Sequence, residues 1–139
     1  MKTDLLPGIS RAIRTVPELY DQNDWGEPNI EKHTCDTPAC LAGWTVALYG
    51  NPQGFRRHAS TASYADEILN LTEAESSILF NAYWPQRYFR PEDRHDEDPT
   101  LWLCPTAEQA ADIIERIHAG EISITSPEDP INPKYLEPI

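Results

Sequence analysis

Thr37-Pro38 and Gly50-Asn51-Pro52 bracket the most tightly constrained stretch of this chain. Proline at the first helical position gives up an N–H that would have no partner there, and a threonine before it caps the donors that remain. Glycine past the last turn supplies the left-handed residue that commonly ends a helix, and Asn-Pro blocks continuation. The bracket therefore predicts a helix from Pro38 to about Tyr49. Its interior sets the small residues Ala39, Ala42 and Gly43 beside Trp44. Glycine inside a helix costs about 1 kcal/mol relative to alanine. Gly43 is thus expected to admit another backbone at close range, in a central, buried helix.

The remaining pattern is helical as well. Ile9, Ala12, Ile13 and Val16 share one helical face before Pro17-Glu18 turns the chain. Ser60 or Thr61 opens a helix carrying Tyr64, Ala65, Ile68 and Leu69, which ends near Asn70-Leu71. Thr72 to Glu75 forms a capping box leading into Ile78, Leu79 and Phe80, and two short helices joined so tightly are expected to pack antiparallel. Thr106 to Gln109 repeats the box, and Ala110, Ile113, Ile114 and Ile117 give the last helix a firm stripe before Ala119-Gly120. Asp21 to Asp36 reads as a long acidic loop pinned by Trp25, and Trp84 to Pro105 as an irregular segment draped over the core. Ile122 and Ile124 alternate with polar residues, which allows one short strand. The fold class is mainly α: about four to five helices with long irregular loops and at most one short strand or hairpin. Residues 1–125 form a single helical domain, and 126–139, with Pro127, Pro130, Pro133 and Pro138, an extended tail.

Charge narrows the function classes. The 139 residues carry 23 acidic against 11 basic side chains, a formal charge of −12. Such a field repels phosphate backbones and attracts basic surfaces, so direct nucleic-acid binding is disfavoured and a protein partner is expected. No run approaches the roughly 18 apolar residues of a membrane helix and the N-terminus lacks a signal-peptide layout, so no membrane contact and a cytoplasmic location are expected. The acid is uneven: Glu18 to Asp36 holds six carboxylates against Lys32 alone. Arg56-Arg57-His58 forms a small basic spot, either an anion seat or a solvated turn.

Three cysteines, Cys35, Cys40 and Cys104, are an odd number without an export signal, which suits thiols or metal ligands better than a disulfide framework. Cys40 would be the third residue of the helix opened by Pro38, where free N–H groups and the helix dipole favour a thiolate, with His33 as a candidate base. The competing reading is a small core residue. His33, Cys35 and Cys40, joined by Cys104 or His95, could form a structural zinc site of nitrogen and sulfur, although the second paired element is missing. No cofactor is expected. The run from Tyr83 to Arg90 stands outside any period, and its Trp84, Arg87, Tyr88 and Arg90 suit an interface because aromatic residues and arginine are enriched in hot spots. The competing reading is a loop folded on its own aromatic residues. Asp96, Glu97 and Asp98 are expected to be solvated and to present charge to the partner.

Ile13, Pro17-Glu18, Trp25 and the block Cys35-Asp36-Thr37-Pro38-Ala39-Cys40-Leu41-Ala42-Gly43-Trp44 resemble an uncharacterised family of small bacterial and phage proteins. Its members share a Cys-Gly-Thr-x-x-Cys-x-Ala-Gly helix start, a Leu-x-Leu-Thr turn and a final Thr-capped helix. Leu69-Asn70-Leu71-Thr72, Leu79-Phe80, Trp84-Pro85 and Thr106 are the matching pieces here, and the resemblance covers roughly Ile9 to Gly120. Asp36 stands where the family has glycine. The resemblance implies the helical architecture and a phage or mobile-element setting, and it supplies no mechanism. The functional expectation is a non-enzymatic acidic protein that binds a basic protein partner, one form being a decoy that imitates nucleic-acid charge. A cysteine-nucleophile enzyme and a zinc-stabilised module are the alternatives.

Overall fold

A computed structural model describes residues 1–20, 40–57, 60–95 and 98–136. The expected acidic loop from Asp21 to Asp36 and the Thr37-Pro38 cap lie outside these residues.

The two ends of the helical pattern pair with each other. α1, Leu6–Thr15, buries Leu6, Ile9 and Ile13, and α6, Ala107–His118, buries Ala110, Ile113, Ile114 and Ile117. Each stripe is too narrow to stand in water alone, and the two helices pack together. Arg14 holds Glu115 across the pair through two hydrogen bonds of 2.9 Å. The capping box of α6 is present: Thr106 Oγ1 accepts from the Gln109 N–H at 3.2 Å, and Gln109 Oε1 accepts from the Thr106 N–H at 3.0 Å. Gly120, at φ +80°, then turns the chain away.

α2, Leu41–Tyr49, lies against α1 and α4, carries no charged residue and buries Leu41, Ala42, Gly43 and Thr45. It starts three residues later than the proline bracket predicts. Cys40 is extended, at φ −75° and ψ −177°, and its carbonyl accepts the Trp44 N–H at 3.0 Å, so it precedes the helix instead of forming its third residue. The other end stops where expected for a different reason. Gly50 is extended, at φ −89° and ψ 177°, and not left-handed. A Cβ at this position would lie 2.7 Å from the Val46 carbonyl oxygen and 3.0 Å from a Tyr64 ring carbon, so close approach requires the glycine. Asn51 Oδ1 then accepts the Gly54 N–H at 2.7 Å and opens the single turn of α3, Pro52–Arg56.

α4, Thr61–Leu69, is capped by Ser60 and closed by Asn70 in the left-handed conformation, at φ 53°. α5, Glu73–Leu79, has the predicted capping box, with Thr72 N–H to Glu75 Oε1 at 2.8 Å and Glu75 N–H to Thr72 Oγ1 at 3.1 Å. The expected antiparallel packing of these two helices along their lengths is not found. α4 turns its buried residues Tyr64, Ala65 and Leu69 into the fold and packs chiefly on α2, which leaves α5 splayed from it.

A small mixed sheet completes the mainly helical fold. β1, Trp84–Pro85, pairs antiparallel with β2, Leu101–Leu103, and β3, Lys134–Tyr135, pairs parallel with the second edge of β2. The strand allowed at Ile122 and Ile124 is not formed. Both residues are buried, but in a turn that passes through Thr125 at φ 59°. Strands of two or three residues carry no readable alternation, whereas two isoleucines at alternate positions imitate it.

Gly50→Ala is expected to destabilise the domain by about 1–3 kcal/mol, since the Val46 carbonyl belongs to the helix backbone and cannot yield freely. Urea denaturation read by far-ultraviolet circular dichroism checks this. Gly120→Ala, where a Cβ meets nothing within 4 Å, would act through its positive φ alone.

Candidate functional site

The run from Trp84 to Arg90, expected to face a partner, is instead largely core. Trp84 and Tyr88 have no exposed surface and Phe89 has 1%. Trp84 donates its indole N–H to the Leu79 carbonyl at 3.1 Å, and burial pushes the Tyr88 phenol well above its ordinary pKa, with the Asp129 carboxylate adding to the shift. The physical reason lies in the neighbouring arginines. An irregular segment that buries its aromatic residues leaves main-chain carbonyls needing donors. Arg94 donates to the Phe89 carbonyl at 2.8 Å and to the Arg87 carbonyl at 3.1 Å, and Arg116 donates to that of Tyr88. The buried Gln86 closes the same loop, giving its amide N–H to the Asp98 carbonyl at 2.7 Å and accepting the His95 N–H.

The expected site residues are therefore tied internally. Arg87 pairs with Asp129 and stacks over Tyr88, and Arg90 pairs with Asp112 at 2.8 Å. Asp112 also meets Arg116 at 3.0 Å, and the Arg90 hydrogen bonds hold its carboxyl below the ordinary range against the opposing effect of burial. Asp98 accepts from the Thr100 hydroxyl at 2.5 Å and from the Thr100 N–H at 2.9 Å and meets Lys134 at 3.2 Å, contacts that lower its pKa. Asp96, Glu97, His33 and Cys35 lie outside the described residues. Cys40 is fully buried in the apolar cluster and Cys104 half-buried. The helix-start argument for a Cys40 thiolate loses its third-residue geometry, because α2 begins at Leu41. Among the described residues no group of three His, Cys, Asp or Glu is placed to hold a metal ion, and no helix is long and apolar enough to cross a membrane.

Charge is left over elsewhere. The stretch from Thr61 to Leu79 contains Asp66, Glu67, Glu73 and Glu75 and no lysine, arginine or histidine. Between the splayed α4 and α5 opens a cleft of about 590 Å³, lined by Asp66 and Glu73 on opposite helices and by Ser76, Ser77, Asn81, Ala62 and Phe80. Five of the 11 lysines and arginines lie in ion pairs among the described residues, and none of those pairs includes Asp66 or Glu73. Burial raises the pKa of the half-buried Asp66, and the nearby Glu75 raises it further against an opposing backbone hydrogen bond from Leu71. This carboxylate is thus held in a surrounding that disfavours its charge, with no described cation to offset the cost. The residue-by-residue reading missed Asp66 and Glu73. The signal was the absence of any cation between His58 and Arg87 beside four acids.

No protein-family model matches this chain, and neither a curated protein nor a solved structure matches it.

The two aspartates should respond oppositely to acid. Asp112 has a lowered pKa, so its stabilisation is present above the ordinary value of 3.8 and is lost as pH falls through the folded value. Asp66 has a raised pKa, so its contribution is fully present below 3.8 and is lost as pH rises through the folded value. Asp112→Asn should lower the urea midpoint at pH 7 and flatten the loss of stability below pH of about 4. Asp66→Asn should leave the pH 7 midpoint unchanged or raise it. Denaturation series across acidic pH distinguish the two.

Proposed function

We propose that this chain is a non-enzymatic binding protein whose α4–α5 cleft receives basic side chains of a protein partner. The observation that supports this most is the cleft itself, which brings Asp66 of α4 and Glu73 of α5 into one lining while no described ion pair includes either. Two carboxylates set in one cleft without a described cation paired to them are available to a positive group of a ligand. Glu73 and the serine hydroxyls offer further acceptors to an ammonium or guanidinium group. Ala62 and Phe80 offer an apolar floor for the methylenes of a lysine or arginine stem. The net charge of −12 extends the attraction beyond the cleft and speeds encounter with a basic surface.

Titration with a lysine- and arginine-rich peptide tests the reading. Asp66→Asn and Glu73→Gln should each weaken binding by about three- to tenfold, as expected for one charge pair in a partly shielded site. Association should slow as salt rises, because exposed charges are screened beyond about 8–10 Å at moderate ionic strength. Cys40→Ser, in a folded protein, should leave binding nearly intact. Silent charge changes together with loss of function in Cys40→Ser would replace this reading with the thiol alternative.

A further inference from the structure

The proline-rich segment after Thr125 returns to the sheet and lies along the second edge of β2 as β3. Its hold consists of a few contacts. The Lys134 N–H donates to the Thr100 carbonyl at 3.0 Å and the Leu136 N–H to the Trp102 carbonyl at 3.1 Å. Lys134 Nζ reaches the Asp98 carboxylate at 3.2 Å. The Tyr135 ring meets Trp102 edge-on with centroids 5.9 Å apart, and Tyr83 at 5.1 Å. Upstream, Asp129 is held by Arg87. β3 is nevertheless only two residues long and exposed on both, and Ile131, just before it, is 94% exposed. A parallel pair this short, with little buried area, is the kind of element that opens before the core does.

The surface beneath it is built more firmly. Trp102 and Leu103 are buried, and β1 holds the other edge of β2 through Trp84 and Pro85. β2 therefore keeps its extended form independently of β3 and presents a ready template for strand addition. Its recognition elements can be read from what the tail places on them. The Thr100 and Trp102 carbonyls accept main-chain N–H groups, Asp98 accepts a cation, and Tyr83 with Trp102 accepts an aromatic ring one residue later.

The geometry points to the edge of β2 as a docking site for an extended segment of a partner protein that reads basic then aromatic, which Lys134-Tyr135-Leu136 occupies in the free protein as a self-inhibiting strap. A second copy could offer the same three residues, but a charge of −12 on each chain sets two copies against one another and favours a basic partner. The tethered tail competes at an effective concentration on the order of millimolar, so the site is closed to weak ligands and opens to a segment that binds better. This edge is separate from the α4–α5 cleft, and the test below reads neither Asp66 nor Glu73.

The test uses a labelled synthetic peptide with the sequence of residues 131–136, added to the full chain and to Leu136→Pro. That substitution removes one of the two main-chain donors of the strap and touches no buried side chain. Hydrogen exchange at the tail amides confirms its release, and circular dichroism confirms the helical core. If exchange shows the strap still closed, Tyr135→Ala takes its place. The released chain is expected to bind the peptide about tenfold more tightly than the wild type, or better, because the closed fraction no longer reduces the apparent affinity. Peptides carrying Glu for Lys, or Ala for Tyr, should bind weakly to both chains. Asp98→Lys combined with Leu136→Pro should reverse the preference toward the Glu peptide. Equal affinity for the released and wild-type chains, or indifference to the two peptide changes, would overturn the proposal. A dimer in sedimentation, formed by exchanging tails between copies, would overturn it in favour of a second copy as the occupant.

Discussion

Main-chain carbonyls inside an irregular segment must find donors, and this structure meets that requirement with arginine. The segment from Trp84 to Phe89 is buried without forming a helix or a full sheet, so neighbouring backbone satisfies only part of it. Arg94 and Arg116 reach the carbonyls of Arg87, Tyr88 and Phe89, while Arg90 and Arg116 share Asp112 on α6. The aromatic segment and α6 are thereby locked together, and α6 in turn carries α1. Removing these guanidinium groups would leave main-chain oxygens of a part-buried segment without these donors.

The same arrangement governs the surface. An acidic chain with 11 cations that places five of them in internal ion pairs, and a sixth, Arg94, on carbonyls, has few left to neutralise the rest. The deficit falls on α4 and α5. Asp66 and Glu73 line the cleft between these helices, and the splay gives that deficit a concave form. Charge segregation here follows from how the core is satisfied, and the acidic cleft is its outward face.

Much of the helical framework was legible because its signals are local. Thr72 with Glu75 and Thr106 with Gln109 specify their caps within four residues, and the isoleucine stripe of α6 repeats at the helical period. What resisted reading depends on distant partners. Trp84, Tyr88, Arg87 and Arg90 have the same composition in a hot spot as in a loop folded on itself, and only the carbonyl geometry separates the two. Gly50 was legible as a stop but not as a contact, since its crowding comes from Tyr64 on another helix. The sheet was hidden because β3 joins β2 from more than thirty positions away in sequence, with too few residues to show alternation. The cleft escaped because it arises from two helices failing to pack, which no local pattern encodes.

The pairing of α1 with α6 has a consequence for how the chain acquires its fold. Arg14 and Glu115 are 101 residues apart in sequence, so the central helix–helix contact closes over most of the molecule. Contacts of such separation form slowly, because the loop entropy must be overcome before they stabilise anything. On the ribosome, the apolar face of Ile9 and Ile13 emerges early, whereas its main partner, the face of α6 with Ile113 and Ile117, is made near the end. The pairing of α1 with α6 therefore cannot form until most of the chain has been made. Until then the part of the α1 face that α2 leaves uncovered waits for α6, and that interval is when the nascent chain is most exposed to aggregation and to chaperones.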